Sequence, residues 1–372
     1  LISYTESINQ TEGIASNSKV NKTNQTEGIA SNSKVNKTNQ TEGIASNAKV
    51  NNTNQPDQKF VVIASGDWGC NKHTERNIND ISNKNPDLVL STGDMSYEKE
   101  DTCFYDIVKP LYQKFKISLG NHDMEEDGSK ELQQAYFSRF QLSNTFYSFN
   151  YKNTHFIMLD SYSDNTASSE QYLFVKKDLE VASKDNETDW IIVVMHEPFY
   201  TNPGRHPPHT EFAKVYHSLF DKYGVNLVLA GHNHWYERSF PLKCNPEEIT
   251  EPITQHHVKM EIEKDLTYKS KKRNEIVSFA TIPELDVNST FKDSENPIFI
   301  TVGTGGKKQH NQKDQLSYIP YVWDHGFGYL KLEINHESIK GNFFANEIAD
   351  REGKKIIEQK YIVRDSFTIS KP

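Results

Sequence analysis

The chain has 372 residues, a formal net charge of −9 and 35% hydrophobic residues. That length allows a substantial core, while the modest apolar share says that part of the chain is not packed. The negative balance argues against a broad basic surface for nucleic acid, and no window approaches the ~20 apolar residues of a membrane-spanning helix.

Residues 9–53 are three near-identical copies of a 15-residue unit starting at Asn9, Asn24 and Asn39. No aromatic residue lies between Tyr4 and Phe60. Units this polar cannot bury enough surface to offset their ordering entropy, and the period is shorter than that of stacking solenoid repeats. Residues 1–56 are therefore expected to be a disordered repeat tail, a spacer closed by Pro56. Asn-x-Thr sequons occur at Asn9, Asn21, Asn24, Asn36, Asn39 and Asn51, and again at Asn186 and Asn288. A pair in every repeat fits a glycoprotein that is secreted or displayed at the cell surface. The chain begins at Leu1, which fits a cleaved signal peptide or an uncleaved anchor ahead of it.

From Phe60 onward, short apolar strands each end in a polar cluster. Phe60–Ser65 runs into Gly66-Asp67-Trp68-Gly69, Leu88–Thr92 into Gly93-Asp94-Met95-Ser96-Tyr97, and Lys116–Leu119 into Gly120-Asn121-His122-Asp123. Trp190–Met195 then leads to His196-Glu197-Pro198, and Val225–Ala230 to Gly231-His232-Asn233-His234. Ser169–Ala182 and Glu211–Tyr223 have helical periodicity, and Tyr147–Asp160 reads as a hairpin turning near Lys152–Thr154. Ile298–Val302, Tyr329–Ile334, Ser338–Phe344 and Lys355–Ile362 read as further strands. The alternation predicts an α/β fold, a four-layered αββα sandwich of two mixed sheets over residues 57–372, with ligands gathered at carboxyl strand ends. A charged stretch at about 244–297 reads as an insertion.

Cys70, Cys103 and Cys244 have no CxxC spacing, which argues against a thiolate zinc site. Cys70 follows the first polar cluster and Cys103 the second, so their pairing on one rim is the disulfide reading to test.

Carboxylates, imidazoles, an amide oxygen and a phenol at five strand ends suit Fe, Mn, Zn or Co, and a close metal pair needs ligands from several strands. The series GDxG, GDxxY, GNHD, VxxH and GHxH resembles the purple acid phosphatase branch of the calcineurin-like metallophosphoesterases. Val193-Val194-Met195-His196, Gly231–Arg238 and Val302-Gly303-Thr304-Gly305-Gly306 fit that branch, and the resemblance runs from Phe60 to the C-terminus. It implies two metal ions. Asp67, Tyr97 and His234 would hold Fe(III), Asp94 would bridge, and Asn121, His196 and His232 would hold a divalent Fe, Zn or Mn. The branch commonly has GNHE; here Asp123 stands in that place, expected to orient His122.

A high-charge ion lowers the pKa of a bound water enough to supply hydroxide below neutral pH, and the leaving alkoxide then needs a proton. His122 is the expected transition-state contact, and His206 and His209 the expected proton donor and substrate contacts. The activity implied is an acid phosphatase acting on small phosphomonoesters. The alternatives are a phosphodiesterase or nucleotide pyrophosphatase on the same scaffold, or a surface-displayed binding glycoprotein with a vestigial phosphatase domain. The seven intact ligand positions argue against the last. Elsewhere, His256, His257, His310 and His336 are expected at the solvent-exposed surface and His155 packed in a strand; His325, before a late strand, is read first as a surface residue, with the rim of the site as the lesser alternative. Gly303–Gly306 reads as a tight turn rather than a phosphate cradle.

Overall fold

A computed structural model describes residues 59–124, 129–244, 290–292, 296–350 and 352–371, with the backbone of 268–269 and 276–277. The repeats with their six sequons, Asn288, and the rest of the insertion with His256 and His257 lie outside the described residues. The chain runs β1 (Phe60–Ser65), α1 (Lys72–Asn83), β2 (Leu88–Ser91), α2 (Thr102–Val108), β3 (Phe115–Ile117) and α3 (Lys130–Phe140). A hairpin of β4 (Tyr147–Tyr151) and β5 (Thr154–Met158) leads to α4 (Glu170–Ala182), β6 (Trp190–Val194) and α5 (Thr210–Tyr223). β7 (Leu227–Ala230), β8 (Tyr236–Pro241) and the short pair β9 (Tyr268–Lys269) and β10 (Ile276–Val277) follow. The remaining strands are β11 (Thr290–Lys292), β12 (Ile298–Val302), β13 (Tyr321–Trp323), β14 (Gly328–Ile334), β15 (Ser338–Ile348) and β16 (Ile356–Ser370).

Two mixed seven-stranded sheets carry the fold, ordered β11-β16-β15-β14-β1-β2-β3 and β13-β8-β12-β7-β6-β5-β4. The strand period of two explains their packing. Val62, Ala64, Leu88 and Leu90 of the first sheet share a core with Ile192, Val194, Leu227 and Leu229 of the second. The alternate residues face outward: Ile63 and Val89 pack with Ile78 and Ile81 of α1, Phe104 of α2 and Leu132 of α3. Ile191, Val193 and Val228 do the same with Val175 and Leu179 of α4 and Phe212 and Phe220 of α5. Each sheet is therefore apolar on both faces, and the result is four layers, αββα. Side-chain caps start α1, α3 and α4: Asn71 accepts from His73 and Thr74 N–H, Ser129 from Leu132 N–H and Ser169 from Tyr172 N–H.

Most predicted elements fall where the sequence pattern puts them, with differences at the ends. β3 is shorter than expected, because the chain after Ile117 leaves the ladder to reach the site. β16 continues to Ser370, eight residues beyond the expected Ile362, and its last third buries Asp365, Phe367 and Ile369. Cys70 and Cys103 are bridged, and Cys244 is free and buried. Among the described residues, no helix is long and apolar enough to cross a membrane.

β1, β2 and β3 run parallel in one sheet, and β5, β6, β7 and β12 run parallel in the other. Their carboxyl ends meet at one rim, where Gly66 N–H donates to Val302 O at 3.0 Å and Gly305 N–H to Gly66 O at 2.7 Å. Those bonds tie the first polar cluster to the turn after β12, which is tight as expected.

Candidate metal centre

The loops at this rim are held in unusual backbone conformations. Of the seven non-glycine residues with positive φ among those described, four are candidate ligands: Asp67 (56°), Asp94 (54°), Tyr97 (57°) and His232 (68°). Such conformations cost free energy for side chains with a Cβ and persist where surrounding contacts fix them. Asp67 N–H donates to Gly93 O at 3.0 Å and Trp68 N–H to Asp94 O at 2.9 Å, so the first two clusters brace each other. Gly120 is required beside them: a Cβ there would lie 2.1 Å from Asp94 Oδ1.

The side chains converge from five strand ends. Tyr97 OH donates to Asp67 Oδ1 at 2.9 Å and lies 3.0 Å from His234 Nε2. His234 Nε2 is itself 3.3 Å from Asp67 Oδ1. Next to this trio, His196 Nε2 is 3.5 Å from Asp94 Oδ1 and 3.2 Å from His232 Nδ1. One ligand atom each from Asp67, Asp94 and His196, all buried, lie within 4.8 Å of one another. The far ring nitrogens are fixed, His196 Nδ1 on Thr92 O at 2.7 Å and His234 Nδ1 on Lys308 O at 2.6 Å. Such bonds set the tautomer that leaves Nε2 facing a metal. Asn121 Oδ1 accepts from Tyr162 OH at 3.4 Å.

The electrostatics of the set are unbalanced without a cation. Burial works against the charged form of Asp94, yet His196 and His122 outweigh it and hold that carboxyl below its usual range. Burial also opposes charge on His196, but Asp94 and Asp67 lift its pKa to about 10. Burial, with Asp67 and Asp94, raises the Tyr97 phenol well above its ordinary value. Burial and the neighbouring His196 depress His232. A proton on His196 thus does what a metal ion would do better, and metal binding here would release protons. The donor set, of carboxylate, imidazole, phenol and amide oxygen, fits hard to borderline ions.

The three histidines expected to act on substrate fall in different places. His122 N–H donates to Asp94 Oδ1 at 3.0 Å, and its ring lies 4.5 Å from that of Tyr97. The His206 ring is 3.9 Å from that of His232, and burial with the nearby His234 lowers its pKa to about 4. His209 sits just before α5, its Nε2 3.3 Å from the Asn165 amide and 3.8 Å from Glu197 Oε2. Glu197 Oε1 in turn lies 4.0 Å from His232 Nε2.

Two expectations are corrected. Asp123 does not orient His122; its carboxylate accepts from the N–H groups of Asp94 (2.7 Å), Met95 (2.9 Å) and Gly120 (3.0 Å). The shorter side chain reaches the backbone of the Asp94 loop and clamps it. His310, expected at the surface, is buried: its ring stacks on His234 at 3.7 Å, and His234 N–H donates to its Nδ1 at 3.2 Å. It reaches the centre because the chain after Gly306 folds back beneath the second sheet's ligands, a tertiary event without a local signal. His155 is packed in β5 against Asp178, and His336 is exposed beside Asp189, both as expected. His325 is exposed, paired with Asp324 and set against Trp323. Sequence reasoning also passed over Tyr162, Glu197 and Lys307, whose Nζ lies 3.8 Å over the Tyr97 ring.

The calcineurin-like phosphoesterase family model matches residues 60–236, so the chain carries a calcineurin-like phosphoesterase domain. Purple acid phosphatases are among its homologues. Probable purple acid phosphatase 20 of Arabidopsis thaliana is 31% identical over 221 residues, 52% of this chain and 52% of that protein. Fe(3+)-Zn(2+) purple acid phosphatase 12 of the same plant is 26% identical over 275 residues, 67% of this chain and 51% of that protein. The chain thus spans about half the length of these relatives. A solved purple acid phosphatase from yellow lupin (Lupinus luteus) seeds shares the fold, with a TM-score of 0.59 and 20% identity over 85% of this chain and 54% of that one.

Proposed function

We propose that the chain is a binuclear-metal phosphohydrolase, an acid phosphatase that cleaves small phosphomonoesters. The observation that carries this reading is Tyr97 Oη at 2.9 Å from Asp67 Oδ1 and 3.0 Å from His234 Nε2, directly beside the Asp94–His196–His232 group. Asp67, Tyr97 and His234 would hold Fe(III), Asp94 would bridge, and Asn121, His196 and His232 would hold divalent Fe, Zn or Mn. Such a pair supplies Lewis acidity and a nucleophilic water at acidic pH. His122, its ring 4.5 Å from that of Tyr97, and His206, its ring 3.9 Å from that of His232, would contact the phosphate as charge shifts to the leaving oxygen. His209, held by Asn165 and Glu197, would donate a proton or orient the group that does.

The Cys70–Cys103 bridge and the sequons support a secreted or cell-surface glycoprotein, with Asn186 exposed after α4. Residues 1–56 would serve as a glycosylated spacer and residues 57–372 as the catalytic domain.

Elemental analysis, a visible spectrum and p-nitrophenyl phosphate hydrolysis of the purified protein test the assignment together. The expected result is about two metals per chain, one of them iron, as a two-metal site requires. A phenolate-to-iron absorption band should vanish in Tyr97→Phe. Asp94→Ala should abolish metal retention and hydrolysis; an unchanged rate in that variant would sink the two-metal mechanism.

A further inference from the structure

A cavity of about 490 Å³ opens beside the ligand cluster, and Arg205, Lys308, His310 and Lys313 are among its lining residues, with no Asp or Glu. In a chain of net charge −9, three cations around one opening go against the overall balance. Lys308 is ion-paired with Glu352, while Arg205 and Lys313, both exposed, have no carboxylate partner among the described residues. One short segment joins this cavity to the candidate metal centre. The Lys308 carbonyl accepts from the His234 ring at 2.6 Å while its side chain lines the cavity, and the His310 ring stacks on His234 at 3.7 Å. On the other wall, Arg205 precedes His206, whose ring lies 3.9 Å from His232 and 5.2 Å from His310. The cavity therefore begins one imidazole thickness from the candidate ligands.

We propose that this cavity is a subsite for a second anionic group on the leaving-group side of the substrate, bound by Arg205 and Lys313. The inference rests on the phosphatase reading. Its chemistry is that of a phosphate or carboxylate a few bonds from the scissile ester. A guanidinium offers such a group paired donors, and the ammonium adds charge beside it. The bland alternative, a surface cation patch that only attracts anions at long range, would act on all phosphoesters alike.

The test compares the metal-loaded full chain with an Arg205→Gln/Lys313→Gln double variant on four substrates. These are p-nitrophenyl phosphate, fructose 6-phosphate, fructose 1,6-bisphosphate and 3-phosphoglycerate. Loss of two charge-assisted contacts should lower kcat/KM for the bisphosphate, relative to fructose 6-phosphate, by about tenfold. A matching loss on 3-phosphoglycerate identifies a carboxylate as an equal occupant, and a loss on the bisphosphate alone identifies phosphate. Equal losses on all four substrates, or none, would overturn the subsite. A wild-type protein that fails to hydrolyse p-nitrophenyl phosphate would count against the phosphatase reading alone. Calorimetric titration with methylenebisphosphonate, which has no P–O–P bond to cleave, then reads the cavity without turnover; its Kd should rise about tenfold in the double variant, and an unchanged Kd overturns the proposal.

Discussion

Arg238 and Asp365 meet between the two sheets, and Asp67 and Asp94 meet at their rim, all four almost fully removed from water. Between the sheets the charges match. Arg238 Nε and Nη2 donate to the two carboxylate oxygens at 2.7 and 3.0 Å, Tyr236 OH adds a third bond at 2.8 Å, and Phe291 and Phe367 flank the guanidinium. At the rim Asp67 and Asp94 are offset by the charge they draw onto His196 and by the neighbouring His122, and their loops sit at positive φ. The first cluster is balanced in charge and serves the fold. The second is arranged for a cation that the polypeptide does not supply, and its strain is supported by the sheets beneath.

Breaking the balanced pair should have the larger effect on stability. Asp365→Ala leaves a buried guanidinium without its partner and should cost about 3–5 kcal/mol in urea unfolding. A loss under about 1 kcal/mol would mean that water reaches Arg238 and that the contrast drawn here is false. His310→Leu comes next: removing the ring beneath His234 and its backbone contact should weaken metal retention by about 10–100-fold, read by competition with a chelator. The fold itself should survive, since Leu fills similar space.

Smaller effects sharpen the comparison. In metal-free protein, Asp67→Asn removes one of two crowded carboxylates but sets an amide NH2 against the His232 N–H that Asp67 Oδ2 accepts. The lost bond and the relieved repulsion act in opposite directions, so its unfolding free energy should fall by no more than about 1–2 kcal/mol, well short of Asp365→Ala. Finally, His206 should titrate at about 4 in the metal-free protein when followed by NMR. A depressed histidine binds its proton more readily when unfolded, so stability should fall as pH drops from about 6.5 toward 4. A His206 that titrates at its ordinary value would place it in open water rather than against His232.

The sequence made the rim readable because each candidate ligand follows an apolar strand directly, so strand period and strand end together locate it. Asp67, Asp94, Asn121, His196 and His232 were all legible in this way, and Tyr97 and His234 by their spacing from the same ends. His310 was not, because it belongs to a coil segment whose place depends on how β12 and β14 are joined. The role of Asp123 escaped for a related reason: a carboxylate one methylene shorter bonds nearby backbone instead of a neighbouring ring. α1, α2 and α3 were also missed, since their apolar faces are short and interrupted by polar residues. Arg238 was seen only as part of a motif, as its partner Asp365 is 127 residues away.

The Cys70–Cys103 bridge has a consequence for the order in which the protein is made. It joins positions 33 apart in sequence, and the ring it closes contains Asp94 and Tyr97, while Asp67, Asn121, His196, His232 and His234 remain outside it. Closing a ring of that size removes roughly 3–4 kcal/mol of unfolded-state freedom on the chain-entropy model. Oxidation would therefore bring the Asp94 carboxylate and the Tyr97 phenol close to the first strand before the later candidate ligands have been synthesised. A metal ion offered to a reduced chain would meet seven scattered donors, and one offered after oxidation would meet a half-assembled cup. The yield of loaded protein should thus depend on the sequence of two chemical events, disulfide formation first and metal second.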